Sequence, residues 1–286
     1  MIDNPRLFVS VIVPVYKDWH KAEQCIEALS RQSYPRDRYE IIVVDNDEDS
    51  QGHQPLHGCI LINEPKPGSY AARNAALQVA KGDIFAFTDA DCVPDKHWLE
   101  NAVRCLASRR VDRIAGHVEI FFQQSRYSLA NIYEKAFAFD QKGYAADGYS
   151  VTANLIAYRH VFDEVGHFNQ AMMSGGDFEW NGRATAQGFS LSYCESCVVH
   201  HPARASMDEI KRKALRVAGG EIYRLPRLWF LRGFMPPIGP ARYLAGKKNL
   251  TTLEKVVAFL LAYYIKFYKF KAIVLLKSGL SKPARL

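Results

Sequence analysis

Asp89 and Asp91, one small residue apart across Ala90, close the short apolar run Asp83–Thr88. Carboxylates at the C-terminal end of a strand in an open α/β sheet lie where such sheets bind ligands. Hard oxygen donors in that place suit Mg²⁺ or Mn²⁺ on a phosphate group. The competing reading is an acidic turn, common after strands. Asp45 ends a second apolar run, Glu40–Val44. Asp177 follows Gly175 and Gly176 and opens a helical stretch. Glu179 stands two residues further on, turned about 200° from Asp177 at helical spacing, so the two cannot share one role. Trp180 can stack on a ring or simply pack. His200 and His201 close a strand-like run and can be structural histidines. Arg73 follows the Gly68 turn and can reach an anion or remain a surface helix residue.

These residues need a scaffold, and the hydrophobic pattern supplies one. Leu7–Tyr16 reads as a strand buried on both faces, with Pro14, Val15 and Tyr16 at its end. Asp18 can cap a helix whose inward face is Ala22, Cys25, Ile26 and Leu29. Glu40–Val44, Cys59–Ile62 and Asp83–Thr88 read as further strands, and Tyr70–Lys81 as an alanine-rich helix ended by Gly82. A helix from beyond Pro94 to about Ala107, carrying Trp98, Leu99, Ala102, Val103 and Leu106 on one face, follows. Arg113–Phe122, Val151–Tyr158 and Phe189–Val199 are strand-like. Ser125–Asp140, Arg159–Val165 and Asp177–Gln187 are helical, and Gly143–Ser150 and Gly166–Gly176 are loops. The order predicts an α/β sandwich on a central, mostly parallel sheet. Residues 206–286 form a basic helical tail with two capping-box patterns, Ser206–Glu209 and Thr251–Glu254. The second opens a long apolar helix to about Lys277. Its longest uncharged run, Val256–Ile265, is too short to span a bilayer, which needs ~20 apolar residues. Lys255, Lys266, Lys269 and Lys277 share one sector of this helix, so it either lies in a membrane interface or docks with a solvated lysine face.

The 286 residues allow one large domain or two small ones, and 48% hydrophobic content can fill a core. A net charge of +7 points to an anionic partner. The basic residues concentrate in the last third among aromatic and aliphatic stretches, which fits a membrane surface better than nucleic acid. Lys211, Arg212, Lys213 and Arg216 cluster there, either on phosphates or as a solvated face. Among six cysteines only Cys194 and Cys197 have metal-like spacing. They have no second pair, and a regular strand aims them at opposite faces, so no shared zinc site is expected; reduced thiols in a cytoplasmic compartment are expected. Residues 1–6 are polar and lead straight into the first strand, so no secretory signal is expected there.

Pro14 within the first strand, Val43-Val44-Asp45-Asn46, Gly68 through Arg73-Asn74, Asp89-Ala90-Asp91, and Gly175-Gly176-Asp177-Phe178-Glu179-Trp180 occur in that order. In this combination the stretch from Val9 to His201 resembles glycosyltransferase family 2, which has the GT-A nucleotide-sugar-binding fold. The resemblance implies inverting transfer of a sugar from a nucleotide diphosphate, most often UDP, to an acceptor hydroxyl on a glycan or lipid-linked acceptor. It implies Mn²⁺ or Mg²⁺ held by Asp91 and Asp89, with Asp89 reaching the ribose or a metal-bound water, and His200 completing the metal site unless His201 takes the role. It further implies Asp45 on the base, Pro14, Val15 and Tyr16 walling the base pocket, and Gly68, Arg73 and Ala90 lining the donor site. Asp177 is implied as the base, with Gly175, Gly176, Glu179 and Trp180 on the acceptor side. On this reading residues 1–112 hold the donor and 113–205 the acceptor. The enzyme then works on cell-surface polysaccharide as a hexosyl- or N-acetylhexosaminyltransferase, peripheral on the inner face of a bacterial cell membrane. The Asp45–Ser50 loop lacks the Gly-Ser ending common in the family, and no Gln-X-X-Arg-Trp motif is present, which favours single-sugar addition. The alternatives are a nucleotidyltransferase of related fold, against which the glycine-free Tyr16–Trp19 segment argues, and an inactive nucleotide-sugar-binding subunit.

Overall fold

The computed structural model describes residues 7–50, 52, 58–122, 128–221 and 238–280. The stretch 225–237 of the expected basic and aromatic tail lies outside them. Two compact units are present: residues 1–119, 139–172 and 176–201, and residues 120–138, 173–175 and 202–286.

The first unit is built on strands β1 (Val9–Val15), β2 (Tyr39–Asp45), β3 (Cys59–Asn63), β4 (Ile84–Phe87), β5 (Val93–Pro94), β6 (Arg113–Phe121), β7 (Leu155–Tyr158) and β8 (Leu191–Pro202). Their order in the sheet is β3-β2-β1-β4-β7-β6-β8-β5. The sheet is mixed. β3, β2, β1 and β4 run parallel, whereas β4–β7, β6–β7 and β5–β8 pair antiparallel. β2 is buried along its whole length and β1 nearly so, because helices cover both faces; this is why both strands are continuously apolar. The register pairs Val15 with Asp45 and Ile12 with Phe87. Asp45 and the residues after Phe87 therefore emerge together at the C-terminal edge of the parallel strands.

Helices α1 (Trp19–Ser30), α2 (Ser69–Val79) and α3 (Trp98–Arg109) follow β1, β3 and β5, and bury the apolar faces their spacing predicts. α4 (Leu129–Phe137), α5 (Gln141–Ala146), α6 (Arg159–Val165) and α7 (Gly176–Ala186) come next. One core cluster joins Tyr70 and Ala76 of α2, Phe85 and Phe87 of β4, Phe162 of α6, and Trp180 of α7. This core fixes the two helix N-termini that bear on the site.

Several local expectations give way to tertiary context. Asp18 does not cap α1 with its side chain; its carboxylate takes the Lys21 ammonium at 2.6 Å instead. The expected loop at Gly143 is the interior of α5, where the Asp140 carboxylate accepts from the Gly143 N–H at 3.2 Å and starts the helix. β8 continues through both histidines to Pro202. Glu195 and Ser196 are both exposed between buried Cys194 and Cys197, breaking the alternation of β8. Both cysteines consequently face α3. Cys194 forms a disulfide with Cys105, and the Cys197 thiol lies 3.6 Å from the Trp98 carbonyl. The expectation of six reduced thiols thus fails for the one pair that a helix and a strand 89 residues apart bring to a Cα separation of 6.6 Å.

In the second unit α4 joins α8 (Met207–Glu221), α9 (Ile238–Gly246) and α10 (Thr252–Lys277). α10 docks through Ala258, Ile265, Ala272 and Ile273 onto apolar residues of α4, α8 and α9. The Thr251–Glu254 box closes fully, whereas at Ser206 the Glu209 carboxylate takes the Ala205 N–H at 3.0 Å instead. The Ser206 hydroxyl accepts from Glu209 N at 3.2 Å, and Thr251 and Glu254 satisfy each other's backbone N–H. Glu134, almost fully buried, receives Arg204 at 3.0 and 3.1 Å. Burial and this cationic company push the Lys213 ammonium down to about 8.

Candidate active site

Arg73 organises the site. It is 2% exposed, which rules out a surface residue. α2 begins after Gly68, whose φ of +117° is open to glycine and costly for other residues. Asn46 holds this turn: its amide donates to the Glu64 and Lys66 carbonyls at 2.6 and 2.8 Å, and its carbonyl accepts from Gly68 N at 3.0 Å. One turn into α2, Arg73 donates to Asp89 Oδ1 at 2.5 Å. Its Nε and Nη1 are buried without a hydrogen-bond partner, as is Thr88 Oγ1 just before the acidic pair. Buried donors in that state are fitted to an anionic ligand.

Tyr70, on the same side of α2, carries the network onward. Its ring lies 5.6 Å from the Arg73 guanidinium, and its hydroxyl donates to Asp177 Oδ1 at 3.1 Å. A Cβ at Gly176 would meet the Tyr70 ring at 2.7 Å, so glycine there lets the ring reach the carboxylate. Gly175 precedes it with φ +76°. Burial pushes the Asp177 carboxyl above the ordinary aspartate range. The Phe178 N–H, the Arg73 guanidinium and the Tyr70 hydroxyl pull in the opposite direction, and Asp89 adds to the rise. A carboxylate with a raised pKa at a helix N-terminus has the character of a general base.

Asp91 lies on a different branch. Its Oδ2 is 3.5 Å from His201 Nε2, and the buried His201 ring packs on Phe139 at 4.7 Å. Among the described residues Asp91, Cys92 and His201 form a group whose ligand atoms lie within 4.8 Å of one another. Burial holds the Cys92 thiol well above its ordinary value, so it stays protonated and is no partner for a hard cation. A carboxylate and an imidazole remain, a donor pair that suits Mn²⁺ better than Mg²⁺, whose ligands are oxygens. His200 does not join them. It points to the other face of β8, with Nδ1 3.3 Å from Glu119 Oε2. The alternation of a strand decides between neighbouring histidines, and it selects His201.

Asp45 ends β2 almost fully buried. It accepts from Asp47 N at 3.1 Å and from the Ser50 hydroxyl. It borders a cavity of about 310 Å³ shared with Asp47, Ser50, Leu61 and Asn63. Val15 is buried beside it, Pro14 and Tyr16 are half-buried, and Ala90 is buried. Two acceptor-side expectations are corrected. Trp180 is fully enclosed, stacked on Phe162 at 4.1 Å, and donates its indole N–H to the Gly166 carbonyl at 2.8 Å, so it cannot stack on a sugar. Glu179 turns from Asp177 and binds Arg183 at 2.8 Å; that arginine also holds the Val165 and His167 carbonyls. Sequence reasoning passed over Tyr70, although its spacing of three from Arg73 places both on one helix side. It also gave no role to Asn46.

The chain matches the model of glycosyl transferase family 2 over residues 10–170. It is 34% identical to Glycosyltransferase AglE of Haloferax volcanii, with 83% of this chain and 84% of that protein covered. It is 22% identical to a dolichyl N-acetyl-alpha-D-glucosaminyl phosphate 3-beta-D-2,3-diacetamido-2,3-dideoxy-beta-D-glucuronosyltransferase of Methanococcus voltae, over 81% and 78% of the two chains. Among solved structures, the mannosyltransferase PcManGT from Pyrobaculum calidifontis, in complex with GDP-Man and Mn²⁺, aligns with a TM-score of 0.58 at 19% identity over 97% of this chain and 76% of that one. TarS 1–349 of S. aureus in complex with UDP aligns with a TM-score of 0.56 at 16% identity, over 96% and 92%. The two structures share the GT-A-type α/β fold, and the sequence matches carry the conclusion that the chain belongs to glycosyltransferase family 2.

Proposed function

We propose that this protein transfers one sugar at a time, with inversion, from a nucleotide-diphosphate sugar to a hydroxyl of a glycan or lipid-linked acceptor in cell-surface polysaccharide synthesis. The observation that carries this reading is the continuous path Asp89–Arg73–Tyr70–Asp177, which ties the acidic strand end to a carboxylate with base character. Asp177 takes the proton of the acceptor hydroxyl as that oxygen attacks the anomeric carbon and the bond to the diphosphate breaks. Tyr70 holds the carboxylate in place, and Arg73 orients Asp89. Asp45 accepts from the base, with Pro14, Val15 and Tyr16 beside it. Asp91 and His201 would hold Mn²⁺ or Mg²⁺, which when bound offsets the charge of the leaving diphosphate. Residues 1–112 then serve the donor and 113–205 the acceptor.

UDP is the proposed nucleotide. Support for a nucleotide diphosphate comes from PcManGT with GDP-Man and Mn²⁺ and from TarS with UDP. Calorimetric titration with UDP, GDP, dTDP and ATP, with and without Mn²⁺, on the wild type and Asp91→Ala tests this. Manganese-dependent binding of UDP alone, lost in the variant, is expected. Tight binding of another nucleotide changes the donor, and binding of none favours an inactive subunit.

A further inference from the structure

α10 buries one side and leaves the other bare. Ala258, Ile265, Ala272 and Ile273 face the other helices of the second unit. On the opposite side Leu253, Val256, Leu260, Phe267 and Val274 recur at spacings of three, four and seven residues, and their exposure runs from 41% at Val274 to 73% at Leu253. Tyr263 and Tyr264 fill the same side, 43% and 46% exposed. A run of large apolar side chains on one exposed helix face marks an interaction surface.

The charges around it identify the partner. At about 100° per residue Lys255, Lys266 and Lys277, eleven residues apart, form a row along one flank of the apolar face, and Lys271 stands within it. The one acidic residue of α10, Glu254, is engaged by Lys135 of α4 at 2.8 Å. In a second copy, the exposed side of α10 offers no carboxylate to answer these lysines. Among the described residues, no helix is long and apolar enough to cross a membrane. An apolar stripe bounded by lysines and tyrosines, on a helix already docked along its back, matches a bilayer interface carrying anionic headgroups.

We infer that the Leu253–Val274 face of α10 docks the protein onto an anionic lipid bilayer, with its apolar side chains below the headgroups and its lysines among them. This goes beyond the transfer reaction and holds whatever the donor proves to be.

Flotation of the full chain with vesicles of phosphatidylglycerol and phosphatidylcholine, and with phosphatidylcholine alone, tests it. Binding to the mixed vesicles is expected, weakened at least about tenfold by Leu260→Gln with Phe267→Gln. A loss of about fivefold per lysine is expected for Lys271→Gln and Lys277→Gln. All four positions are exposed, and unchanged thermal melting shows that the variants fold. Absence of binding to mixed vesicles, or equal binding to phosphatidylcholine alone, overturns the inference. So does a concentration-dependent dimer in sedimentation velocity that the Leu260 and Phe267 substitutions abolish without any vesicle binding, which would assign the face to a second copy.

Discussion

The Tyr70 hydroxyl donates to Oδ1 of Asp177 at 3.1 Å, joining residues 107 positions apart in the chain. This bond steadies the carboxylate assigned as the base and favours its ionised form. Replacing Tyr70 by Phe removes one of the contacts that lower the Asp177 pKa, so the acid limb of the pH–rate profile should move upward. A loss of about tenfold at neutral pH accompanies it, in keeping with a hydrogen bond to a charged group. A profile with an unmoved acid limb would make Tyr70 merely structural.

Asp177→Asn should cost transfer about 10²–10⁴-fold while leaving nucleotide affinity intact. In the wild type, activity should fall as pH drops through a value above the ordinary aspartate range, because burial raises this carboxyl. Near-normal turnover in the Asn variant would remove the base assignment.

The two adjacent histidines should separate cleanly. His201→Ala should lower Mn²⁺-dependent nucleotide binding by at least the ~10–100-fold typical of outer-shell changes at metal sites. His200→Ala, on the opposite strand face with Glu119, should leave it unchanged. Calorimetry on the pair reverses the assignment if the effects are exchanged.

Trp180→Ala should destabilise the first unit by about 3–5 kcal/mol, the range for a large aromatic lost from a core. Denaturant unfolding measures it. A full-stability variant with a raised acceptor KM would return Trp180 to the sugar.

Glu254 is held down to about 2, first by the Lys135 ammonium and then by the Thr251 N–H. A carboxyl depressed in the folded state contributes stability above its ordinary value of 4.5 and loses that contribution as pH falls toward about 2. Glu254→Gln should therefore lower Tm by about a degree or two at neutral pH, and the gap should close in acid. A gap that persists at pH near 2 would trace the effect to the cap alone.

Much of this protein is written locally. The apolar runs of β1 and β2 require burial on both faces, and a strand so buried belongs to a sheet covered by helices. Asp45, Asp89, Asp91 and Asp177 each stand at the end of a strand or the start of a helix, where the chain direction alone points a side chain toward the sheet edge. The Thr251–Glu254 box is complete within four residues, so its sequence suffices.

Pairings across long stretches of chain needed the tertiary structure. Whether His200 or His201 meets Asp91 depends on how far β8 runs and on the break at Glu195 and Ser196, which no local pattern announces. The same break brings Cys194 to Cys105. Trp180 and Glu179 follow from which side of α7 the Phe162 cluster occupies, and Arg73 is buried because Asp89, sixteen residues later, comes back against it. Such contacts form only after the strands fix their register, since side-chain direction along a strand or helix is set by backbone geometry while its partner is set by packing.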